Sequence, residues 1–335
     1  MNQQFHQVRR RVLAGVLFAA AQLGWLHGAA AAEAAPQPLA PIHQIHAGVL
    51  DVGYYEAGPA DGKPVILLHG WPYDIHSYAE VAPLLAKQGY HVIMPHLRGH
   101  GTTRFLSDAT PRNGQQAVVA DDIVALMDAL HIDKAILAGY DWGARTADII
   151  AALWPERVKG LVSVNGYIIN NREANKKPLS PKAENGWWYQ FYFATERGQA
   201  GYDQNRREFN RLIWQNNSPK WHFDEATYAR SAASFDNPDH VAIVINNYRW
   251  RLSIVPGEAK YDAIEKRLAA GPTISVPTIT LDGNSDGVTP ATDGKAYAAR
   301  FTGKREHRIV KGAGHNLPQE APQDFAKAVV DVDAL

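Results

Sequence analysis

Hydrophobic positions along the chain alternate between two periods. "HQIHAG" and "LDVGYYEAG" read as the two strands of a hairpin. "PVILLHG" and "HVIMPHL" are unbroken apolar runs of the kind buried strands show. Between them, "SYAEVAPLLAKQG" has helical spacing and a glycine stop. A helix is predicted from Gly114 to Leu130, then a strand at "KAILAG", then a helix at "ARTADIIAALW". "VKGLVSVNG", "VPTITLDG" and "HRIVKGAG" read as further strands, the last two each leading into a helix. Strands that alternate with helices in this way predict an α/β fold with a mostly parallel sheet covered on both faces.

The rhythm stops between Tyr167 and Pro256, a segment rich in Trp, Tyr, Asn and Arg with no parallel-sheet strand, as in "GWWYQFYF" and "NNYRWRL". It reads as a helical insertion. The chain therefore divides into a first core part (41–168), an inserted helical part (169–256) and a second core part (257–335). Residues 1–34 stand apart. Arg9, Arg10 and Arg11 precede an apolar run from Val12 to about Leu26, and an alanine-rich stretch with A-x-A sites follows. That order predicts a cleaved secretory signal and an exported protein, periplasmic or secreted, with no stable membrane insertion afterwards. The apolar run is shorter than the ~20 residues a span needs.

Composition adds limits. Hydrophobic residues make up 46% of the 335 and charged residues 20%, which suits one large globular domain or two smaller ones. Lys+Arg and Asp+Glu are both 34, so charge gives no reason to expect nucleic acid as a partner. With no cysteine, disulfides, thiolate chemistry and cysteine-based metal sites are excluded. The expectation is a monomer or homodimer that acts on a small apolar or aromatic molecule without metal or organic cofactor.

The candidate chemistry begins at "ILAGYDWGAR". A strand ends in Gly-x-Asp-x-Gly and a helix opens at once. This is the setting of a nucleophile elbow, whose middle residue is usually serine; here it is Asp141. Gly139 and Gly143 permit the tight turn. The backbone N–H of Trp142 and that of Trp71, in the earlier loop "LLHGWP", are candidates for an oxyanion hole. His69 reads as a support of that loop. Downstream, "VPTITLDGNSDGVTP" offers Asp286 as the acid of a triad, with Asp282 as runner-up. "VKGAGHNLPQEAP" offers His315 as the base.

These motifs resemble the α/β-hydrolase superfamily over essentially the whole chain beyond the signal. Within it they resemble the branch with an aspartate nucleophile: epoxide hydrolases, haloalkane dehalogenases and fluoroacetate dehalogenases. The resemblance implies an eight-stranded-type sheet with the helical cap inserted after the sixth strand. It also implies an alkyl ester formed on Asp141 and hydrolysed by water that His315 activates. "WWYQFYFATERG" resembles the first cap segment of epoxide hydrolases and "INNYRWRLS" the second. They map the two ring-opening tyrosines onto Tyr189 and Tyr248. Gln190, Trp187 and Trp188 would then line the substrate pocket, with Tyr192 and Tyr140 as bystanders.

A halide leaves as a stable anion, whereas an epoxide oxygen needs a proton. The tyrosines therefore favour epoxide hydrolysis to a vicinal diol. The rival is a dehalogenase, because haloalkane dehalogenases share Asp-Trp-Gly. Fluoroacetate dehalogenases have an arginine at the place of Arg145 but another where Trp142 stands here. Arg145 reads equally as a salt-bridge partner. Asn165 cannot serve as the alternative acid that some relatives carry. A catalytically silent binding protein on a hydrolase scaffold is the remaining, different-class alternative.

Overall fold

The computed structural model describes residues 39–335, and the predicted export signal lies outside them. Strands β1 (His43–Ala47) and β2 (Leu50–Ala57) form the expected hairpin. They precede β3 (Lys63–Leu68), helix α1 (Val81–Ala86), β4 (Tyr90–Pro95), the two-residue strand β5 (Arg104–Phe105) and helix α2 (Gln116–Ala129). Strand β6 (Ala135–Gly139), helix α3 (Trp142–Leu153) and strand β7 (Val158–Val164) complete the first part. Five helices follow: α4 (Pro181–Gly186), α5 (Trp188–Phe193), α6 (Glu196–Asn217), α7 (Glu225–Ala232) and α8 (His240–Arg251). The chain then returns through α9 (Asp262–Ala269), β8 (Thr278–Gly283), β9 (Arg305–Val310), α10 (Leu317–Glu320) and α11 (Pro322–Asp333).

The strands form one sheet in the order β1-β2-β4-β3-β6-β7-β8-β9, with β5 beside β2. The pairs β1–β2, β2–β4 and β2–β5 are antiparallel, and from β4 to β9 neighbours run parallel. The period of two in a strand explains the unbroken apolar runs. In β3, Ile66 and Leu68 enter one core with residues of α2 and α3, while Val65 and Leu67 enter another with residues of α1 and α11. Burial on both faces favours apolar side chains at every position from Val65 to Leu68.

Two expectations are corrected. The helical spacing of "SYAEVAPLLAKQG" yields only α1, six residues long, after a single 3₁₀ turn at Ile75–Tyr78. No α-helix follows β8; the segment before β9 holds one 3₁₀ turn, Ala298–Arg300. Gly287, Pro290 and Gly294, the last at φ +66°, break any helical register there. Strand β5, which pairs Leu50 with Phe105, is too short to leave a periodic signal. Among the described residues, no helix is long and apolar enough to cross a membrane.

The parallel strands end on the same edge of the sheet. The loops that leave them there carry Trp71 after β3, Asp141 after β6, Asn165 after β7, Asp286 after β8 and His315 after β9. An edge of this kind is where open α/β sheets bind ligands.

Candidate active site

The turn between β6 and α3 holds Asp141 at φ 51°, ψ −123°, a backbone state that costs a non-glycine residue about 1–3 kcal/mol. The neighbours that over-determine it are glycines. A Cβ at Gly143 would fall 1.8 Å from the Leu68 carbonyl oxygen, and one at Gly70 would fall 2.4 Å from the Asp141 Cβ. The backbone N–H of Trp71 donates to Asp141 Oδ1 at 2.7 Å. Trp142 is the first residue of α3, so its N–H has no carbonyl partner within the helix.

His315 stands between two carboxylates. Its Nδ1–H donates to Asp286 Oδ2 at 2.8 Å, and its Nε2 lies 3.6 Å from Asp141 Oδ2. Burial alone would lower its pKa. The charge of Asp286 and hydrogen bonds to Asp141 and Asp286 more than reverse this, and the value is raised to about 10. Asp141 is largely enclosed, its side chain 15% exposed, which favours its neutral form. The hydrogen bond and charge of His315 prevail and hold its pKa below the ordinary value. The resting state is thus an ion pair.

Asp286 is fully buried and accepts from the Val288 and Thr289 N–H groups at 2.7 and 2.9 Å and from Asn165 Nδ2 at 3.3 Å. Asp282 faces elsewhere. Its Oδ2 accepts from the Thr292 N–H at 2.8 Å and lies 4.0 Å from His307 Nε2. Of the two candidate acids, only Asp286 meets His315.

Tyr189 from α5 and Tyr248 from α8 are brought together, both buried. Their rings meet edge-on with centroids 5.4 Å apart, and the Trp71 ring lies 5.3 Å from the first and 5.2 Å from the second. Burial and the Asp141 charge raise the pKa of Tyr189; burial, Tyr189 and Asp141 raise that of Tyr248. Each phenol therefore keeps its proton and remains a donor. Trp187 and Gln190 line a recess of about 550 Å³ beside them. Trp188 instead packs on Phe209 and Tyr192 within the inserted helices, at 5.4 and 6.1 Å. Tyr140 lies below the site, its hydroxyl 2.6 Å from Ser77 Oγ.

His69 spends both nitrogens on its loop. Nδ1–H donates to the Gly70 carbonyl at 2.9 Å and Nε2 accepts from the Leu97 N–H at 3.1 Å. Burial lowers its pKa, so it stays neutral. Arg145 is buried, and its one protein hydrogen bond among the described residues runs from Nε to the Ile168 carbonyl at 3.3 Å. No salt bridge forms there among the described residues, which corrects the reading of Arg145 as a salt-bridge partner.

Several supports have no signal in the sequence. The Trp71 indole N–H donates to Tyr202 Oη at 2.9 Å. Tyr202 in turn donates to His240 Nε2 at 2.8 Å, since His240 Nδ1–H is committed to the Gly99 carbonyl at 2.9 Å. Ser218, at the end of α6, accepts from the His315 backbone N–H at 3.1 Å and donates to Glu320 Oε1 at 2.6 Å. Glu320 also accepts from the Gly314 and Asn316 N–H groups at 2.7 and 3.1 Å, which fixes the loop that carries His315.

A largely enclosed carboxylate, an imidazole held by a second carboxylate, and a backbone N–H on the first carboxylate are elements a nucleophilic hydrolase would use. The chain belongs to the α/β-hydrolase fold family, whose model matches residues 63–322. It is an enzyme that resembles the epoxide hydrolases of that family. A crystal structure from Klebsiella pneumoniae subsp. pneumoniae MGH 78578, itself provisionally assigned as an epoxide hydrolase, is 62% identical with a TM-score of 0.86, over 88% of this chain and 97% of that one. Epoxide hydrolase A of Mycobacterium tuberculosis is 26% identical over 301 residues, 82% of this chain and 92% of its own length. Epoxide hydrolase 2 of Siraitia grosvenorii is 33% identical over 127 residues, 37% of this chain, and the match spans 39% of that relative's length.

Proposed function

We propose that the enzyme opens epoxides to vicinal diols through an alkyl ester on Asp141. The carrying observation is the pair Tyr189 and Tyr248, two protonated phenols from different helices packed on Trp71 above the nucleophile. A carboxylate oxygen of Asp141 attacks a ring carbon. The C–O bond breaks, the released oxygen takes a proton from a phenol, and the imidazolium of His315 gives its proton up to restore that phenol. Water, deprotonated by His315, then adds to the ester carbonyl. The Trp71 and Trp142 N–H groups hold the oxyanion, and collapse frees the diol and restores the carboxylate.

The ion pair gives this sequence its order. While Asp141 is charged, His315 holds a proton and is a poor base. Esterification removes that charge, the imidazolium pKa falls, and the base becomes available when it is needed.

One observation favours the dehalogenase reading: Trp142 Nε1 is buried and has no hydrogen-bond partner among the described residues, as a halide donor would be. The test is intact mass of His315→Ala after exposure to epoxides and, separately, to haloalkanes. A gain of one whole epoxide, absent in Asp141→Asn, supports ring opening. A gain of an alkyl group without its halogen replaces this reading with dehalogenation, and no adduct with any epoxide overturns it. We further propose that residues 1–34 direct export, which N-terminal sequencing of the protein from its native host would test.

A further inference from the structure

Two cations stand at this site without matched anions. Arg145, in the first turn of α3, is 7% exposed, and one long hydrogen bond to a carbonyl is its only polar contact among the described residues. Arg251 closes α8. Its guanidinium carbon lies 5.6 Å from the Tyr248 ring centroid and 5.7 Å from that of Trp187, and its Nε is buried without a partner. Neither arginine forms a salt bridge to any described residue.

A buried charge left unpaired is among the costlier features a fold can carry. Its mark is visible on Arg145: burial, then the nearby charge of Arg251, lower its pKa to about 10. The carboxyls in range do not relieve it. Asp141 is committed to His315, with Arg145 a lesser influence. Asp148, one turn further along α3, is driven up to about 7 by burial, and its Oδ2 accepts from the Ile168 N–H at 2.9 Å.

Arg251 also faces outward. With Trp187, Gln190 and Lys177 it lines the recess of about 550 Å³ that adjoins the tyrosine helix. Leu179 and Phe191, both largely exposed, form an apolar rim. The acidic residue of the lining, Glu184, is engaged by the Leu179 N–H at 2.7 Å. The recess on the outer side of Arg251 is basic as well as apolar.

We infer that the natural substrate is an oxirane carboxylate, its carboxylate held between Arg145 and Arg251 while Asp141 attacks the adjoining ring. The inference rests on the epoxide reading above and narrows it. Charge supports a monoanion. Arg145, Arg251 and His315 set three positive charges against the two carboxylates of Asp141 and Asp286, and Asp148, held toward its neutral form, offsets the excess only in part. A planar guanidinium also matches a carboxylate through paired N–H donors. The product is a 2,3-dihydroxycarboxylate, formed with water as the sole co-reactant.

The test compares 3-phenyloxirane-2-carboxylate with its uncharged amide, measured by diol formation. The wild-type enzyme should favour the carboxylate by at least about a hundredfold in kcat/KM, the scale expected of a desolvated charge pair. Arg251→Gln, at a partly exposed position, should lower that ratio at least about tenfold, and Arg251→Lys should recover part of it. Equal turnover of acid and amide, or an equal loss on both in Arg251→Gln, overturns the inference. In that case turnover of the amide leaves the epoxide reading standing. If neither oxirane reacts and His315→Ala gains no adduct from any epoxide, both readings fall.

Discussion

Replacing Asp141 with asparagine should change His315 more than any other group. The substitution keeps the side-chain shape and an oxygen for the Trp71 N–H, and it removes one negative charge. That charge lies 3.6 Å from His315 Nε2. At an effective dielectric constant of about 20, a unit pair at that separation is worth about 4.6 kcal/mol, or roughly 3 pKa units. The imidazolium pKa, raised to about 10 in the native protein, should therefore fall to roughly 7. The assay is a ¹⁵N-imidazole NMR titration of wild type and Asp141→Asn, with intact mass to verify that the asparagine persists. The variant reproduces the electrostatics of the alkylated enzyme, so the fall measures how strongly ester formation activates the base. A His315 pKa within one unit of wild type would refute the reasoning. It would mean that Asp286 alone sets the value and that consuming the nucleophile does not switch the base on.

Tyr189→Phe and Tyr248→Phe should each lower the rate of epoxide-dependent alkylation about 10²–10³-fold, the cost of removing one donor to a developing oxyanion. Hydrolysis of a preformed ester should change far less. Rapid-quench mass spectrometry separates the two steps, and equal losses in both would remove the tyrosines from ring opening. Asp148 should make stability fall as pH rises. Its folded pKa of about 7 lies above the ordinary 3.8, so between those values the unfolded chain has released a proton that the native chain retains. Asp148→Asn should therefore be more stable than wild type at pH 8, by up to about 4 kcal/mol, and the gap should close near pH 4. Urea unfolding at the two pH values checks this, and a gap independent of pH refutes it.

The core was readable because its signals are local. A parallel strand buried on both faces is an apolar run whatever its neighbours, so β3, β4, β6 and β7 fall where the pattern puts them. The elbow is local too, since Gly139, Asp141 and Gly143 lie within five residues. Where the pattern misled, local chemistry had more than one outcome. "SYAEVAPLLAKQG" has helical spacing, yet Asp74 caps a 3₁₀ turn that takes up its start. Asp286 leads Asp282 in the sequence because the triad acid belongs beyond the strand end, and the pleat of β8 separates the two. Asp282 lies inside that strand on the face of Thr280, whose hydroxyl is 3.0 Å from His307, whereas Asp286 lies beyond the strand end.

The rest of the site was hidden because it is made of long-range contacts between ordinary residues. Trp71 and Tyr202 are 131 positions apart and His315 and Ser218 are 97 apart; no spacing rule connects them. The arginines show the difference most clearly. In the sequence, Arg145 is one basic residue at the start of a helix, and a salt bridge to some carboxylate is the economical expectation. That expectation fails because the inserted helices bring α8, and with it Arg251, to the same place. Meanwhile the nearest carboxyls are taken by His315 and by the Ile168 N–H. The motif around Asp141 carries the proposed attack. The proposed substrate rests on the charge left over when the fold brings distant residues together, and a sequence read one element at a time does not display that balance.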